Sequence, residues 1–482
     1  MDFSDEIWGK GTPMGLPRTV VVGLAATVVT LGALAVPATA GTTAAAKAPA
    51  RHHFSAAQEQ VGAQPTAQGR AKAMESILAA NGAVKGRANA SMAQAATLFP
   101  RATAYGAPTE WNAGITGAGA TVAVIDSFGD PNIGQVMSTF DTDEGLPPAQ
   151  VSQLEPAGAV PSCASLKNSN PTAYSDCLGW AGETDLDVES VHELAPSATI
   201  VIAATPVDET EGMVGLPEMM TAIDYLRVHK LANVVSMSFY ASEDTFPSRT
   251  ATKQLLDPTL KRASAAGITL VACSGDNGPT SWTADASGFF PFREGAWPAD
   301  TPYVTALGGT AFAGENQNTG VFPPTTPAQR AKTPDTLWNI NATVAENSST
   351  GSALSTVYAR PSWQRDVNNG TGSTMRSYPD ITMHGTDGTS EASPLFAGAV
   401  ALAVQANHGH NLGNIDQALY TRLGPAGARD GLLDVVSGTN QLNPVVSTVP
   451  GFTAAPGYDV VSGWGTIDDL SVFVPDLVKA LK

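Results

Sequence analysis

From about residue 101 onward, the sequence repeats one pattern of short apolar runs separated by longer stretches with helical character. The runs at 122–125 (Val-Ala-Val-Ile) and 200–202 (Ile-Val-Ile) are apolar without alternation, which is typical of parallel strands covered by helices on both faces. The pattern therefore predicts an α/β fold, a doubly wound, mostly parallel sheet with helices on both faces. The predicted strands are Thr121–Asp126, Ala198–Ala203, Asn233–Ser238, Ile268–Ser274 and Tyr303–Leu307. The predicted helices are Asp187–Leu194, Glu218–His229, Thr250–Ala266 and a long helix after Ser390.

Reactive side chains are expected at one edge of this sheet. In doubly wound sheets, ligands and reactive groups gather outside the carboxyl ends of the parallel strands. Asp126, Asp276 and the residues that follow Ser238 all lie at such ends. These residues are therefore candidates for a reactive site.

Residues 1–40 have the pattern of a secretory signal peptide. Lys10 and Arg18 precede an apolar run at 19–36, and Ala38-Thr39-Ala40 forms a small-x-small cleavage pattern. Two alternatives stay open. Translation beginning at Met14 would give a more compact signal, and the apolar run is just long enough to serve as an uncleaved anchor. The pattern favours a secreted, extracellular protein without stable membrane association after cleavage.

The rest of the chain divides into a spacer or short pro-segment at 41–100 and one large domain at 101–482. The first of these is rich in Ala, Gln, Gly and Thr and has too few apolar residues to form a core. The net charge of -18 argues against nucleic acid and anionic membranes as partners, since both repel an acidic protein. Such a charge suits an extracellular protein that works in acid, where protonation of carboxylates relieves the repulsion.

Three cysteines are present, and an exported protein tends to pair those that can meet. Cys163 and Cys177 lie in a loop-like segment rich in Ser and Asn, which predicts a disulfide between them. Cys273 lies in an apolar strand pattern and is predicted to be a buried thiol. The spacing of the three does not match a zinc site.

The segment Gly388-Thr389-Ser390 leads directly into an apolar helix pattern. A serine at the start of a helix lies beside unpaired backbone N–H groups that stabilise an oxyanion, so Ser390 is a candidate nucleophile. The alternative interpretation is an ordinary Ser/Thr helix cap.

A carboxylate pair is the preferred base for this serine. Glu183 and Asp187 are four residues apart, which places them one turn apart on the same face of a helix. Two carboxyls so close do not both ionise freely, so the pair titrates as a unit. The alternative is an acidic helix start favoured by the helix dipole. Asp185 and Glu189 fall off this face and are predicted to lie in solvent.

A third element is the Gly-flanked aspartate Asp276, at the end of a predicted strand. A protonated Asp276 is able to donate a hydrogen bond to a tetrahedral oxyanion, which requires low pH. The alternative interpretation is a turn, because Gly-Asp-Asn-Gly is a common turn composition.

A histidine-dependent triad of Asp126, His192 and Ser390 is also conceivable from chain order. The neighbours of His192 are helix formers, and the other six histidines have no better context. His192 is therefore interpreted as a solvated helix residue.

Taken together and in order, these segments resemble the sedolisin and kumamolisin family of serine-carboxyl peptidases. The resemblance covers about residues 105–482. It rests on Glu183 to Ile200, Ser274 to Gly278 and Gly388 to Ser390, with the landmarks Trp297-Pro298-Ala299, Pro302-Tyr303-Val304, Gly308-Gly309-Thr310, Pro361-Ser362-Trp363-Gln364 and Pro379-Asp380. It implies a subtilisin-like three-layer architecture for the domain at 101–482.

The resemblance also assigns roles. Ser390 is implied to be the nucleophile and Glu183 its general base. Asp187 is implied to orient Glu183 and share its proton, and Asp276 to donate to the oxyanion. The implied activity is acid-acting endopeptidase cleavage of polypeptide substrates by a protein that is expected to be monomeric.

One structural calcium ion is implied by the same resemblance. Asp434 and Val435 match the first part of the family's calcium site, and Ala455, Gly457 and Asp459 match the second. Carboxylate and carbonyl oxygens are suitable ligands for this hard cation.

Several positions depart from the family pattern. Asp126 stands where kumamolisins have a glutamate, Phe239 stands where they have a tryptophan, and Glu391 directly follows the nucleophile, where its charge is expected to shift the pH dependence. Only about sixty residues lie between the predicted signal peptide and the catalytic region, too few for the family's large prodomain. Two other hypotheses therefore stay open: a catalytically inactive homologue that acts as a secreted binding protein, and a histidine-dependent subtilisin-like protease.

Overall fold

The computed structural model describes residues 100–285, 287–317, 322–323, 325–340 and 347–482. The predicted signal peptide and nearly all of the predicted spacer lie outside these residues. Within them, no helix combines the length and the apolar character needed to cross a bilayer.

A mostly parallel sheet of ten strands forms the centre of the fold. Nine strands follow one another in the order β15-β16-β14-β8-β6-β4-β1-β3-β2, and β9 pairs with β8. Only the pairs β15–β16 and β8–β9 of this sheet are antiparallel in the described residues. The ten strands are β1 Thr121–Ser127, β2 Gln150–Leu154, β3 Thr199–Thr205, β4 Val234–Met237, β6 Thr269–Cys273, β8 Thr305–Ala311, β9 Thr336–Leu337, β14 Ile381–His384, β15 Leu432–Leu433 and β16 Thr466–Ile467. Smaller two-stranded pairs are formed by β5 Ala241–Ser242 with β7 Ala296–Trp297, β10 Asn339–Ile340 with β11 Ser348–Ser349, and β12 Ala353–Ala359 with β13 Met375–Tyr378.

Helices cover both faces of the sheet. They are α1 Pro100–Ala104, α2 Ala107–Asn112, α3 Ile133–Glu144, α4 Cys163–Leu166, α5 Pro171–Leu194, α6 Leu216–His229, α7 Ala251–Leu255, α8 Asp257–Ala265, α9 Pro327–Arg330, α10 Thr389–Ala406, α11 Asp416–Ala418, α12 Gly424–Ala426 and α13 Leu470–Ala480.

The central strands divide their side chains between two cores. In β1, Val122 and Val124 join the core that contains α5, α10 and α13, whereas Ala123 and Ile125 join the core that contains α6 and α8. Both faces of the strand are therefore buried, which is why the apolar runs do not alternate. The predicted α/β, doubly wound, three-layer fold is confirmed.

Two predicted helices differ in extent. The helix predicted at Asp187–Leu194 is the end of α5, which begins at Pro171, where the Asn170 side chain accepts a hydrogen bond from the Ala173 N–H at 3.2 Å. The single helix predicted at 250–266 is two helices, because Pro258 stands in the first turn of α8, where its missing N–H costs nothing.

The predicted disulfide and buried thiol are confirmed. Cys163 in α4 is bonded to Cys177 in α5, and Cys273 is buried at the end of β6. The bond ties the loop before α5 to the helix that carries Glu183.

Helices α5 and α10 approach each other closely at a glycine. A Cβ built at Gly398 would lie 3.0 Å from the Val191 carbonyl oxygen and 3.1 Å from the Leu194 Cβ. Only a residue without a side chain permits this approach, so Gly398 sets the distance between the helices that carry Glu183 and Ser390.

Gly398→Val is expected to lower the free energy of unfolding by about 1–3 kcal/mol, because the added methyl groups overpack this contact. Urea denaturation at fixed pH measures the change. The control is Gly179→Ala in α5, where an added Cβ meets no atom within 4 Å and a rise of about 0.5–1 kcal/mol is expected from helix propensity. Unchanged stability of Gly398→Val would show that the helices separate without cost.

Candidate active site

Ser390 lies in the first turn of α10, directly above the carboxyl ends of the central strands. Gly388 immediately before the helix has φ 101°, a conformation that favours glycine. A Cβ at Gly388 would also lie only 3.3 Å from Asp276 Oδ2. The turn thus brings the end of β14, the nucleophile candidate and Asp276 together.

Glu183 faces Ser390 across the contact between α5 and α10. The Ser390 hydroxyl is within hydrogen-bonding reach of the Glu183 carboxyl and favours its ionised form. Burial outweighs this effect and, with the charges of Asp126 and Asp276, raises the pKa of Glu183 to about 8. Glu183 Oε1 is buried and has no hydrogen-bond partner in the described part of the chain.

Asp187 lies one helical turn further on and is completely buried. Its Oδ1 accepts a hydrogen bond from the Ser238 hydroxyl at 2.8 Å, and Ser238 Oγ also lies 3.3 Å from the carbonyl oxygen of Ser390. Burial and the nearby acids Asp126 and Glu183 raise the pKa of Asp187 well above its usual range. Asp187 therefore holds a proton and is linked to the nucleophile turn through Ser238.

Asp126, at the end of β1, is the third buried acid of this group. Neither of its carboxyl oxygens has a hydrogen-bond partner among the described residues. The nearby Thr184 hydroxyl slightly favours the ionised form but already donates to the Trp180 carbonyl at 2.9 Å. Burial raises the pKa of Asp126 to about 7. Three neighbouring carboxyls without a cation cannot all be ionised. The group therefore retains protons at pH values well above those at which free carboxyls ionise.

Asp276 approaches Ser390 from the end of β6. Its Oδ1 accepts hydrogen bonds from the Thr389 N–H and the Thr389 hydroxyl, both at 2.8 Å. Burial raises the pKa of Asp276 despite these bonds. Because Oδ1 already accepts two hydrogen bonds, a proton on this carboxyl belongs on Oδ2.

Two further contacts fix the Asp276 segment. The Ser349 N–H donates to the Asp276 carbonyl at 2.9 Å, and Gly351 N–H donates to the Gly275 carbonyl at 2.6 Å. Below it, the Tyr240 hydroxyl accepts from the Asn277 side chain at 2.8 Å. The segment at 348–352 thus supports Asp276 from outside the sheet.

Glu391 is buried and points away from the four acids. Its carboxyl contacts Arg101 Nη1, His384 Nδ1 at 2.7 Å and the Asp387 N–H at 3.1 Å. Burial alone would raise the pKa of Glu391, but the charges of His384 and Arg101 hold it well below its usual range. Glu391 is not among the groups that shift the pKa of Glu183, Asp187 or Asp276. The expectation that its charge shifts the pH dependence stays a prediction.

The interpretation of His192 as a solvated residue is wrong. His192 is completely buried on the inner face of α5, and its Nε2 lies 2.9 Å from the Pro147 carbonyl oxygen and 3.1 Å from Asp141 Oδ1. Its Nδ1 has no hydrogen-bond partner among the described residues. The ring therefore makes no hydrogen bond to Asp126 or Ser390, as a histidine triad would require.

Asp185 and Glu189, which were predicted to lie in solvent, are both partly buried. Neighbouring segments therefore cover more of the surface of α5 than the face of Glu183 and Asp187 alone.

The segments implied to hold calcium are in contact with each other. The Gly457 N–H donates to Asp434 Oδ2 at 2.7 Å, and Asp459 accepts hydrogen bonds from the Ala455, Val461 and Ser462 N–H groups. Burial raises the pKa of both Asp434 and Asp459. No group of three or more His, Cys, Asp or Glu side chains is placed for a metal in the described ranges. The oxygens of the two carboxylates and of the Val435, Ala455 and Gly457 carbonyls are of the chemical type that calcium prefers.

Some residues of the site were missed by sequence reasoning. Ser238 is the last residue of a predicted strand and directly precedes the region already singled out, so its position was a usable signal. No sequence signal identified Arg101 or His384, because their partners are distant in sequence or lie in segments without a recognisable motif.

The sequence profile of the subtilase family matches residues 168–434, which is more than half of the chain. The chain belongs to the subtilase family. This match spans Glu183, Asp187, Asp276 and Ser390, the residues that the structure brings to one edge of the sheet.

Among curated proteins, this subtilase is similar to kumamolisin from Bacillus sp. (strain MN-32), with 26% identity over 80% of this chain and 64% of the relative. It is similar to sedolisin from Pseudomonas sp. (strain 101), with 26% identity over 73% and 57%. It is also similar to tripeptidyl-peptidase 1 from Bos taurus, with 29% identity over 52% and 43%. The predicted resemblance to the sedolisin family is confirmed. The subtilase spans between 43% and 64% of the length of these relatives.

A solved structure of Pseudomonas sedolisin, a serine-carboxyl proteinase complexed with two molecules of pseudo-iodotyrostatin, has the same fold as this subtilase. The TM-score is 0.61 at 23% identity, over 78% of this chain and 96% of that one.

The raised pKa of Glu183 predicts a pH-dependent effect of Glu183→Gln on stability. A carboxyl whose pKa is raised by folding from 4.5 to about 8 loses stability as pH rises between these values. The variant is therefore expected to be more stable than the wild type by roughly 2–3 kcal/mol at pH 7, and equal to it at pH 4. Urea denaturation at both pH values measures the difference.

Glu391→Gln provides a control of opposite sign. Its carboxyl has a lowered pKa, so its contribution to stability is present above the unfolded-state pKa and is lost as pH falls. The variant should be destabilised at pH 7. An equal stability gain of Glu183→Gln at both pH values would contradict the burial of an ionisable Glu183.

Proposed function

We propose that this subtilase is a secreted serine-carboxyl endopeptidase that hydrolyses peptide bonds of polypeptide substrates at acidic pH. The observation that carries the proposal is the proximity of the Ser390 hydroxyl to the partly buried Glu183 carboxyl. Secretion is supported by the signal-like residues 1–40 and by the disulfide between Cys163 and Cys177, which persists in oxidising compartments.

In the proposed reaction, ionised Glu183 takes the proton of the Ser390 hydroxyl as Ser390 Oγ attacks the peptide carbonyl. The tetrahedral intermediate collapses to an acyl-enzyme when Glu183 returns the proton to the leaving amine. A water molecule, activated by Glu183, then hydrolyses the ester and restores Ser390. Two proton transfers by the same carboxyl thus replace those made by histidine in neutral-pH serine proteases.

Asp187 and Asp276 have supporting roles in this reaction. Protonated Asp187 shares its proton with Glu183 and is held by Ser238, which fixes the orientation of the acid pair. Protonated Asp276 donates from Oδ2 to the oxyanion, because its Oδ1 is occupied by Thr389. In the first turn of α10, the Thr389 N–H donates to Asp276 and the Glu391 N–H to the Gly388 carbonyl, so the Ser390 N–H is the group proposed to add to the oxyanion site.

A bell-shaped pH profile follows from the protonation states that the reaction needs. Asp276 must hold its proton, and the neighbouring carboxyls, which titrate as a unit, must have lost the proton whose departure leaves Glu183 ionised. Raising the pH removes the proton of Asp276, and strongly acidic pH protonates all of the neighbouring carboxyls. The acidic position of the maximum is proposed from the similarity to kumamolisin and sedolisin.

Assays of the purified protein on an internally quenched peptide library across pH 3 to 8 are expected to show this profile. Ser390→Ala and Glu183→Gln should each lower kcat by at least about 10³-fold, because they remove the nucleophile and its base. His192→Gln should keep acid activity, because His192 does not contact the site. No activity at any pH would support a binding protein, and neutral activity that depends on His192 would support a histidine-dependent protease.

The mode of cleavage is tested with N-terminally acetylated peptides. An endopeptidase cleaves them as well as free peptides, since it needs no terminal amine. Cleavage restricted to free N-termini would instead indicate release of short N-terminal fragments.

We also propose that Asp434, Val435, Ala455, Gly457 and Asp459 hold one calcium ion. When bound, the ion supplies positive charge to two partly buried carboxylates whose ionisation is otherwise disfavoured. Asp459 shapes its own loop by accepting N–H groups, and Asp434 joins that loop to the end of β15. The ion takes no direct part in the proposed reaction at Ser390.

Removal of calcium with a chelator at pH 7 is expected to lower the Tm of the wild type by about 5 °C. Asp434→Asn should have a lower Tm and no response to the chelator. The control is Asp430→Asn, an acid of the neighbouring surface that pairs with Arg422, which should keep the wild-type response. A chelator response of Asp434→Asn equal to that of the wild type would place the ion elsewhere.

A further inference from the structure

Arg101 makes the first side-chain ion pairs of the described domain. Its guanidinium contacts two carboxylates at once. Nε lies 2.7 Å and Nη2 2.6 Å from Glu193 Oε2, while Nη1 contacts Glu391 Oε1. The neighbouring Ala102 N–H also donates to Glu193 Oε1 at 3.1 Å. The arginine side chain is only 18% exposed and the two carboxylates are almost fully buried.

These two carboxylates belong to the helices that carry the proposed nucleophile and its base. Glu193 lies in the last turn of α5, the helix of Glu183 and Asp187. Glu391 lies in the first turn of α10, directly after Ser390. Arg101 therefore joins the two helices by a charged bridge, whereas the Gly398 contact joins them by packing.

The bridge continues on the far side of Glu391. His384 Nδ1 lies 2.7 Å from Glu391, and His384 Nε2 lies 2.9 Å from Glu315 Oε1. Burial alone would lower the pKa of His384, but the two carboxylates raise it to about 10. Glu391 is thus held between two cations, and the first turn of α10 has little freedom to rotate.

The chemistry of the bridge requires arginine. A guanidinium presents donors in a fixed planar fork and is able to bond two carboxylates in different directions, whereas an ammonium is a single point charge. A buried carboxylate left without its cation is strongly destabilising, which favours the closed arrangement of all members.

We propose that Arg101 is a positioning residue that holds the Ser390 turn in register with Glu183, so that an active form of the protein must retain Arg101 at its N-terminal end. The proposal rests on the proposed function. It also sets a limit on maturation, because any processing of residues 41–100 that yields active enzyme leaves Arg101 in place. Small displacements of reacting groups are costly, and a shift of about 1 Å lowers rates by up to 10²-fold.

Kinetics of Arg101→Met test the positioning role. We expect kcat to fall by about 10–100-fold at the pH optimum with KM nearly unchanged, because the substrate subsites are untouched while Ser390 loses its register. The matched control is Arg227→Met. Arg227 pairs with Asp224 on α6, its side chain is 21% exposed, and kcat should not change. Arg101→Lys should recover only part of kcat, because a lysine reaches one carboxylate at a time.

A double variant separates positioning from stability. Arg101→Met leaves Glu391 with only His384, and Glu391→Gln removes part of the unpaired charge. The double variant should regain some of the lost Tm and none of the lost kcat. A kcat of Arg101→Met equal to that of the wild type would overturn the proposal. A double variant in which kcat recovers together with Tm would also overturn it.

Two measurements keep the proposal testable apart from the proposed activity. Hydrogen exchange should increase in Arg101→Met at residues 389–394 and at the end of α5. It should not increase there in Arg227→Met. Unchanged exchange in Arg101→Met overturns the bridge even if the wild type proves inactive. Mass spectrometry of the secreted active form should find a chain that begins at or before Arg101. An active form that begins after it contradicts the proposal. Absence of activity in the wild type, with exchange as expected, overturns the proposed function alone.

Discussion

The structure depends on carboxyl groups placed where water cannot solvate them. At the carboxyl edge of the sheet, Asp126, Glu183 and Asp187 lie together, and no cation of the described residues is among the causes of their pKa shifts. Asp276 joins them from the loop after β6. Burial disfavours their charge, so their pKa values all rise. The same burial that makes the cluster costly when ionised lets its members hold protons at pH values where free carboxyls have lost them.

A second buried charge arrangement, only one residue from Ser390, has the opposite character. Glu391 is surrounded by Arg101 and His384, and its pKa is lowered. The first turn of α10 thus has a proton-holding side toward Glu183 and a permanently charged side toward Arg101. The two sides differ in their main partners, because Arg101 and His384 surround Glu391 whereas burial dominates the pKa shifts of Glu183, Asp187 and Asp276. One turn of helix therefore combines adjustable protonation with a fixed ionic anchor.

The sequence predicted the sheet and most of the acid cluster because both depend on local patterns. Unalternating apolar runs identified β1 and β3 within two residues of their ends, and four-residue spacing identified Glu183 and Asp187. The strand predicted at Tyr303–Leu307 extends to Ala311, since Gly308 and Gly309 permit close approach to neighbouring side chains instead of ending the strand. Two-residue strands such as β15 and β16 have no periodicity to detect. Arg101 pairs with residues 92 and 290 positions away, and no local pattern encodes such a contact.

The division of each central strand between two cores limits where this protein can change. Successive residues of β1 point into opposite cores, so a polar replacement in mid-strand is buried whichever way it faces. Tolerance is confined to the loops beyond the buried acids at the strand ends, which are also the places where a substrate of the proposed peptidase would be contacted. Substitutions that change selectivity and residues that maintain the framework therefore occupy separate sets of positions. Loop substitutions can change selectivity without destabilising the two cores.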